Sequence, residues 1–491
     1  MVSSTETKTI RHVEVLGLLL IFVQGTITFY ELLQRYHSFF LGNAFTLYYQ
    51  AFTYFGTGHF GFGPNYLGVP FLYLRGEFSF EALSLLGVIS RSVLTLLALY
   101  VLFLFTCNWL IFSFAIAQLK NSTKSHEARF RLEFVVLVAI LLDPFYYLLI
   151  VKEINFGWVM ALMFGLLILR SQSSKRKGIR TIGIIGALAT GLPGAIVLAL
   201  VGIFRLTSSN GVKVLYAIIE VALAGASIIV LMVLGFDRGV TYSYFITTYS
   251  PSSLSVGSLG VLPSVSHLIT STKLLFGLLK STSLQLAYLL LSGGLLGVAS
   301  IAVLVGVIPV VLLWTAFQHT SLIDGAAFGF VASTFVILGT VRTIRVLSKF
   351  GNLSQSIASI VVIFAAAIMT FIVTVPNVID HVWPVNSVNS FALKHVLASV
   401  PLDAQVIGDP RILGRFSNRE WIFSDLIAGP IPVETPVVYF VFINSLPISA
   451  NDVAPDTKFQ FVKQLGAKLI YSSGTVSLFE WKSASSVALH F

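Results

Sequence analysis

Charge is what this sequence has least of. Only 11% of its 491 residues are charged, against 56% hydrophobic, and the mean hydropathy is +0.88. A water-soluble fold of this length needs far more polar surface to cover its core, so that class is excluded. Cysteine is nearly absent too. Cys107 stands alone, which rules out an intrachain disulfide, and no His/Cys cluster has metal-ligand spacing. No Gly-rich phosphate loop follows a predicted strand, and no Ser-His-Asp order is readable. The net charge is +10, yet the tail from Asp380 to Phe491 is nearly neutral. The excess Lys and Arg therefore lies between apolar segments, as topology signals and lipid-headgroup contacts do, and no nucleic-acid partner is expected.

What is present is a series of apolar runs between residues 13 and 378. Spanning a bilayer takes roughly 20 apolar residues. Helices are predicted over 13–33, 92–118, 132–151, 155–170, 214–236, 321–347 and 356–378. The first run is too long for a signal-peptide core and lacks a small-residue cleavage site, so it reads as a retained helix. Residues 181–204 carry Gly191-Leu192-Pro193-Gly194 inside an apolar run, which fits one kinked helix or two half-helices. Residues 284–316 are too long for one straight crossing and hold Gly293, Gly294, Gly297 and Gly306. The expectation is about 9–11 crossings.

Basic clusters recur on alternate connections: Lys8 and Arg11, Lys120 to Arg131, Arg170 to Arg180, and Arg342 to Lys349. Placing all of them in the cytoplasm puts the N-terminus inside and the tail outside. The expected domains are a membrane domain over 1–378, with outer loops 34–84 and 237–283, and an extracytoplasmic domain over 379–491. Loop 34–84 is rich in aromatic rings, which favour the headgroup region as short interfacial helices. The tail alternates short apolar strands (405–408, 437–443, 468–471, 476–481) with helical patterns (388–400, 456–465), the signature of a small α/β domain.

Three stretches carry a resemblance. Tyr48-Tyr49-Gln50-Ala51-Phe52 is followed by Gly58-His59-Phe60-Gly61-Phe62-Gly63-Pro64 and Gly68-Val69-Pro70-Phe71-Leu72-Tyr73. Gln318-His319-Thr320-Ser321 stands at a predicted helix start. Val400-Pro401-Leu402-Asp403-Ala404-Gln405-Val406 precedes Leu413-Gly414-Arg415-Phe416-Ser417-Asn418-Arg419-Glu420. In this order they resemble an uncharacterised family of bacterial and archaeal polytopic membrane proteins grouped with the GT-C glycosyltransferases. The resemblance implies an α-helical polytopic membrane protein: a GT-C-like bundle with a small C-terminal α/β outer domain in the cell membrane. It also implies sugar transfer from a polyprenyl-phosphate donor, with a general-base or metal-binding carboxylate in the first outer loop. The chain departs from the family at three polar sites. Tyr49 and Ala44 stand where the family carries Asp, Asn155-Phe156-Gly157-Trp158 replaces an Asp-Phe-His-like motif, and Leu192-Pro193-Gly194 replaces a Lys-Glu-Asp element.

Such chemistry needs a carboxylate to deprotonate the acceptor or hold a divalent metal, and cations for the leaving phosphate. The candidate carboxylates are Glu31 and Glu77, with Glu81 in the same loop as Glu77. The candidate phosphate contacts are His59, Lys152, Arg238 and His319. Plainer readings stand beside these: an ion pair of Glu31 with Arg35, solvated loop glutamates, packed histidines and a helix-end anchor at Lys152. Two alternatives to the enzyme remain open. One is a catalytically degenerate protein that binds lipid or an envelope partner. The other is a transporter using Asp143 and Glu220, which lie inside apolar runs where charge is costly.

Overall fold

Uninterrupted apolar sequence sets the long helices, and Gly and Pro set where they stop. A computed structural model of the chain describes residues 4–39, 41–55, 71–120, 126–152, 154–174, 177–207, 212–234, 286–312, 325–348, 352–374, 388–409, 412–425, 431–443, 455–482 and 489. Five helical stretches within it are long and apolar enough to cross a membrane: Val13–His37, Val93–Leu119, Glu127–Val151, Val214–Leu231 and Ala326–Leu347. Shorter apolar helices accompany them. The chain is a multi-pass membrane protein, mostly helical, with one small sheet.

The chain divides into two compact units: residues 1–28, 101–151 and 156–379, and residues 29–100, 152–155 and 380–491. In the first, the Ala326–Leu347 helix is central, buried from Ala326 to Val341. The Val212–Leu234 helix instead turns Ile229, Val230 and Val233 outward. Apolar side chains exposed in this way suit lipid, which needs no polar cover.

Three interruptions shape this unit. The helix expected over 132–151 is two helices, His126–Leu141 and Pro144–Lys152. Pro144 has no N–H to continue the first one, and the Asp143 carboxylate starts the second by accepting the Phe145 N–H at 3.1 Å. Residues 181–204 likewise form two helices, Lys177–Leu188 and Leu192–Leu206. They part at Gly191, whose φ of 70° suits glycine. The 286–312 stretch breaks at Gly293-Gly294 and continues through 3₁₀ and π turns. Gly293 and Gly297 lie against Val336, where an added Cβ would fall within 2.3 and 2.6 Å of its atoms. The glycines thus permit a close approach to the central helix.

The second unit contains a five-stranded sheet: β1 (Gln405–Gly408), β2 (Ile422–Ser424), β3 (Val437–Ile443), β4 (Lys468–Ser473) and β5 (Val476–Lys482), in the order β2-β1-β3-β5-β4. β1 is parallel to β2 and β3, and β5 is antiparallel to β3 and β4. Central β3 is buried from Val438 to Phe442 and reads as a continuous apolar run, as a strand covered on both faces must. Ile407, Phe423, Phe440, Val462 and Phe479 form its core. The predicted tail strands and helices all appear; β2 is an addition to them. Residues 71–89, within the aromatic loop, form the short helices Phe71–Arg75, Phe78–Ser84 and Leu86–Ile89.

Candidate functional site

The second unit holds a carboxylate in an unusual setting. Glu77 occupies the N-cap position of the Phe78–Ser84 helix, yet its side chain makes no cap hydrogen bond. The carboxylate turns to Tyr48, on the Gly42–Phe55 helix, whose hydroxyl lies 2.9 Å from both of its oxygens. The same hydroxyl lies 2.8 Å from Asn155 Oδ1. Glu77, Tyr48 and Asn155 are all buried, with 1%, 0% and 1% exposure. Phe71 and Phe80 pack on the Tyr48 ring at 5.7 and 4.7 Å between centroids. The Arg75 guanidinium stands 5.7 Å from the centre of that ring.

One phenolic proton cannot serve three acceptor oxygens at once. The Tyr48 hydroxyl therefore donates to one of these oxygens at a time. Glu77 thus belongs to a buried network with Tyr48 and Asn155.

Glu81 follows one helical turn later, so Glu77 and Glu81 share a side of the chain. Its two carboxylate oxygens are buried and have no hydrogen-bond partner among the described residues. Burial pushes its pKa from the usual 4.5 up to about 7. The structure therefore replaces the solvated-loop reading of both glutamates. Apolar neighbours on this short helix, led by fully buried Phe80, draw the segment inward.

The other sequence-based candidates fare differently. Glu31 pairs with Arg35 one turn on, with Nε–Oε1 at 2.8 Å, in line with the ion-pair reading. Lys152 is the last residue of the Pro144–Lys152 helix, and its side chain lies outside the described residues. His59, Arg238 and His319 also lie outside them. Tyr49, at a position where the family carries Asp, is buried and donates to the Arg91 carbonyl at 3.3 Å. Burial pushes its phenol far up, so it gives and takes no proton near neutrality.

The two carboxylates that suggested transport have structural employment. Asp143 accepts from the Phe145 N–H and, at 2.6 Å, from the Ser333 hydroxyl. Glu220 is fully buried between Arg180, whose Nη2 lies 3.1 Å from Oε1, and Arg205, which bonds the same oxygen.

The tail motif around Arg415 and Arg419 serves to hold the second unit together. Arg419 donates to the carbonyls of Val400 and Pro401 at 2.7 and 3.1 Å, just past the Val388–Ser399 helix. The Ser417 carbonyl accepts from Thr53 Oγ1 at 2.9 Å. Gly414 packs closely on Phe45 and Thr46, where a Cβ would come within 3.1 and 3.2 Å.

Among the described residues no group of three or more His, Cys, Asp or Glu side chains is placed to hold a metal ion. Sequence reasoning singled out Glu77 but assigned no role to Tyr48 or Asn155, although both lay inside stretches compared with the family.

No protein-family model and no curated protein matches the chain. Two solved structures are similar over almost its whole length. One is ArnT from Cupriavidus metallidurans in the apo state, with 9% identity and a TM-score of 0.47, covering 97% of this chain and 98% of that one. The other is the same protein bound to undecaprenyl phosphate, with 8% identity and a TM-score of 0.45, covering 94% and 97%. At such identities and TM-scores, residue roles rest on this chain's own chemistry.

Proposed function

We propose that this protein is a GT-C-type sugar transferase that draws on a polyprenyl-phosphate donor, with Glu77 as its proton acceptor. The observation that carries this reading is the buried Glu77–Tyr48–Asn155 network. A carboxylate held by a phenol among aromatic rings, in a multi-pass membrane protein, suits a reaction between a lipid-borne donor and a polar acceptor. The orientation that goes with it is the one set by the basic loops, with the N-terminus in the cytoplasm and the 379–491 domain outside.

In the proposed step an acceptor hydroxyl oxygen attacks the anomeric carbon of the donor sugar. The new carbon–oxygen bond forms as the bond to the phosphate oxygen breaks, and the polyprenyl phosphate leaves with that electron pair. Glu77 takes the acceptor proton. Tyr48 and Asn155 orient the carboxylate, and the aromatic wall of Phe71 and Phe80 keeps bulk water away.

The test is transfer of labelled sugar from polyprenyl-phosphate donors by the purified full-length chain in proteoliposomes. Glu77→Gln keeps the shape and the Tyr48 contact while removing the base, and is expected to lower the rate about 100-fold or more with unchanged thermal stability. Wild-type transfer that Glu77→Gln leaves intact contradicts the assignment. A wild-type protein that retains the lipid but transfers nothing favours the non-catalytic lipid-binding alternative.

A further inference from the structure

The Phe78–Ser84 helix buries two acids along one stripe. Glu77, Phe80, Glu81 and Ser84 recur at helical spacing and are buried, while Phe78 and Leu85 on the opposite side are exposed. The helix has seven residues and so little stability of its own. It rests on the Gly42–Phe55 and Leu86–Ile89 helices, and the packing of the buried stripe decides where it lies. Gly76 joins it to the Phe71–Arg75 helix with a φ of 63°, which glycine adopts without strain.

Glu81 is the weak point of that stripe. Both of its carboxylate oxygens are buried and have no hydrogen-bond partner among the described residues. The titratable groups on the helices packed against it are Tyr48, Tyr49 and Tyr54, and the Leu86–Ile89 helix carries none. Glu77 and Arg75 stand on its own segment. None of these offsets its charge: burial alone acts on its proton affinity. A neutral carboxyl is tolerated in such a place, whereas a carboxylate regains its solvation only by leaving.

Glu77 is tied to the same turn. Its carbonyl accepts from the Phe80 and Glu81 N–H groups, both at 3.1 Å, while its carboxylate accepts from the Tyr48 hydroxyl at 2.9 Å. Moving Glu81 outward therefore turns the backbone that aims Glu77 at Tyr48.

We propose that Glu81 is a pH-sensitive latch: neutral, it stays packed and seats Glu77 against Tyr48; ionised, it swings the Phe78–Ser84 helix outward about Gly76 and withdraws Glu77 from the phenol. Burial lifts the Glu81 pKa from 4.5 to about 7, so the closed form prevails below neutrality and is lost as pH rises through that value. The latch is a property of the fold and does not depend on sugar transfer.

The experiment is hydrogen–deuterium exchange of the full-length protein in mild detergent between about pH 6 and pH 8, corrected for the intrinsic pH dependence of exchange. The Phe80 and Glu81 amides report the turn, and central β3 serves as the reference. In wild type the protection of these amides relative to β3 is expected to fall about fivefold or more across the range. Glu81→Gln, which does not ionise, is expected to hold it within about twofold; Glu81→Met carries the same test if the glutamine variant does not fold. Protection that stays flat in wild type, falls together with that of β3, or falls equally in the folded variants overturns the proposal. Because exchange is read without any sugar donor, this outcome is separate from that of the transfer assay.

Discussion

The two units treat buried charge in opposite ways. In the membrane unit, Glu220 meets Arg180 and Arg205, Arg129 meets Glu133 at 2.7 Å, and Asp143 sits at a helix start with Ser333. Each charge there meets an opposite charge or a helix end, as the cost of ions in an apolar medium requires. In the second unit, Lys458 and Asp425 are paired at 2.9 Å, yet Glu81 and Arg415 have no opposite charge among the described residues. Glu77 is engaged with a phenol. A charge that folding alone leaves uncompensated is a candidate for a ligand or a proton. On the proposed reading, the chemistry belongs to the second unit and the membrane charges are scaffold.

The strongest way to break this contrast is to remove a scaffold charge. Glu220→Ala leaves Arg180 and Arg205 facing each other inside the membrane unit and is expected to cost about 3–5 kcal/mol. Thermal unfolding in mild detergent reads it as a large drop in Tm or loss of folded protein. A variant as stable as wild type places Glu220 among the functional charges instead.

Glu81 sharpens the contrast from the other side. Its folded-state pKa near 7 lies above the ordinary 4.5, so between those values the folded chain holds more protons than the unfolded one. Stability from this group is present below the lower value and is lost as pH rises through the window, by on the order of 1–3 kcal/mol. Glu81→Gln is expected to flatten that slope and to leave the chain more stable than wild type at about pH 8. Denaturation followed across pH checks it; a slope unchanged in the variant contradicts it.

The smallest effect belongs to Glu31. Its partner Arg35 is buried while Glu31 itself is the more open of the two; Glu31→Gln leaves an acceptor for that guanidinium and is expected to cost about 1 kcal/mol. In the transfer assay the rate should stay within about twofold of wild type. A loss comparable to that of Glu77→Gln would move the catalytic carboxylate to the first helix.

Much of the fold was legible because it rests on local signals. The apolar runs gave the membrane helices, Gly191-Leu192-Pro193 and Gly293-Gly294 marked real interruptions, and the apolar strand 437–443 emerged as central β3. Asp143-Pro144 marked a break as well, but the apolar run around it masked the signal. β2 escaped because three residues carry too little pattern, and its pairing to β1 is a tertiary fact.

The site was legible only in part. Glu77 stood out as a rare loop carboxylate, but its partners Tyr48 and Asn155 lie 29 and 107 positions away. Likewise Arg415 lies 379 positions from Tyr36. Residue type is written in the sequence; which side chains share a dry pocket is decided by packing over such distances.

The most direct test of the account is mass spectrometry of the lipids that co-purify with the full-length protein in mild detergent. The account predicts a polyprenyl phosphate, or its sugar conjugate, enriched well above its share of the membrane extract. Finding bulk membrane lipids alone, in the proportions of that extract, would contradict it.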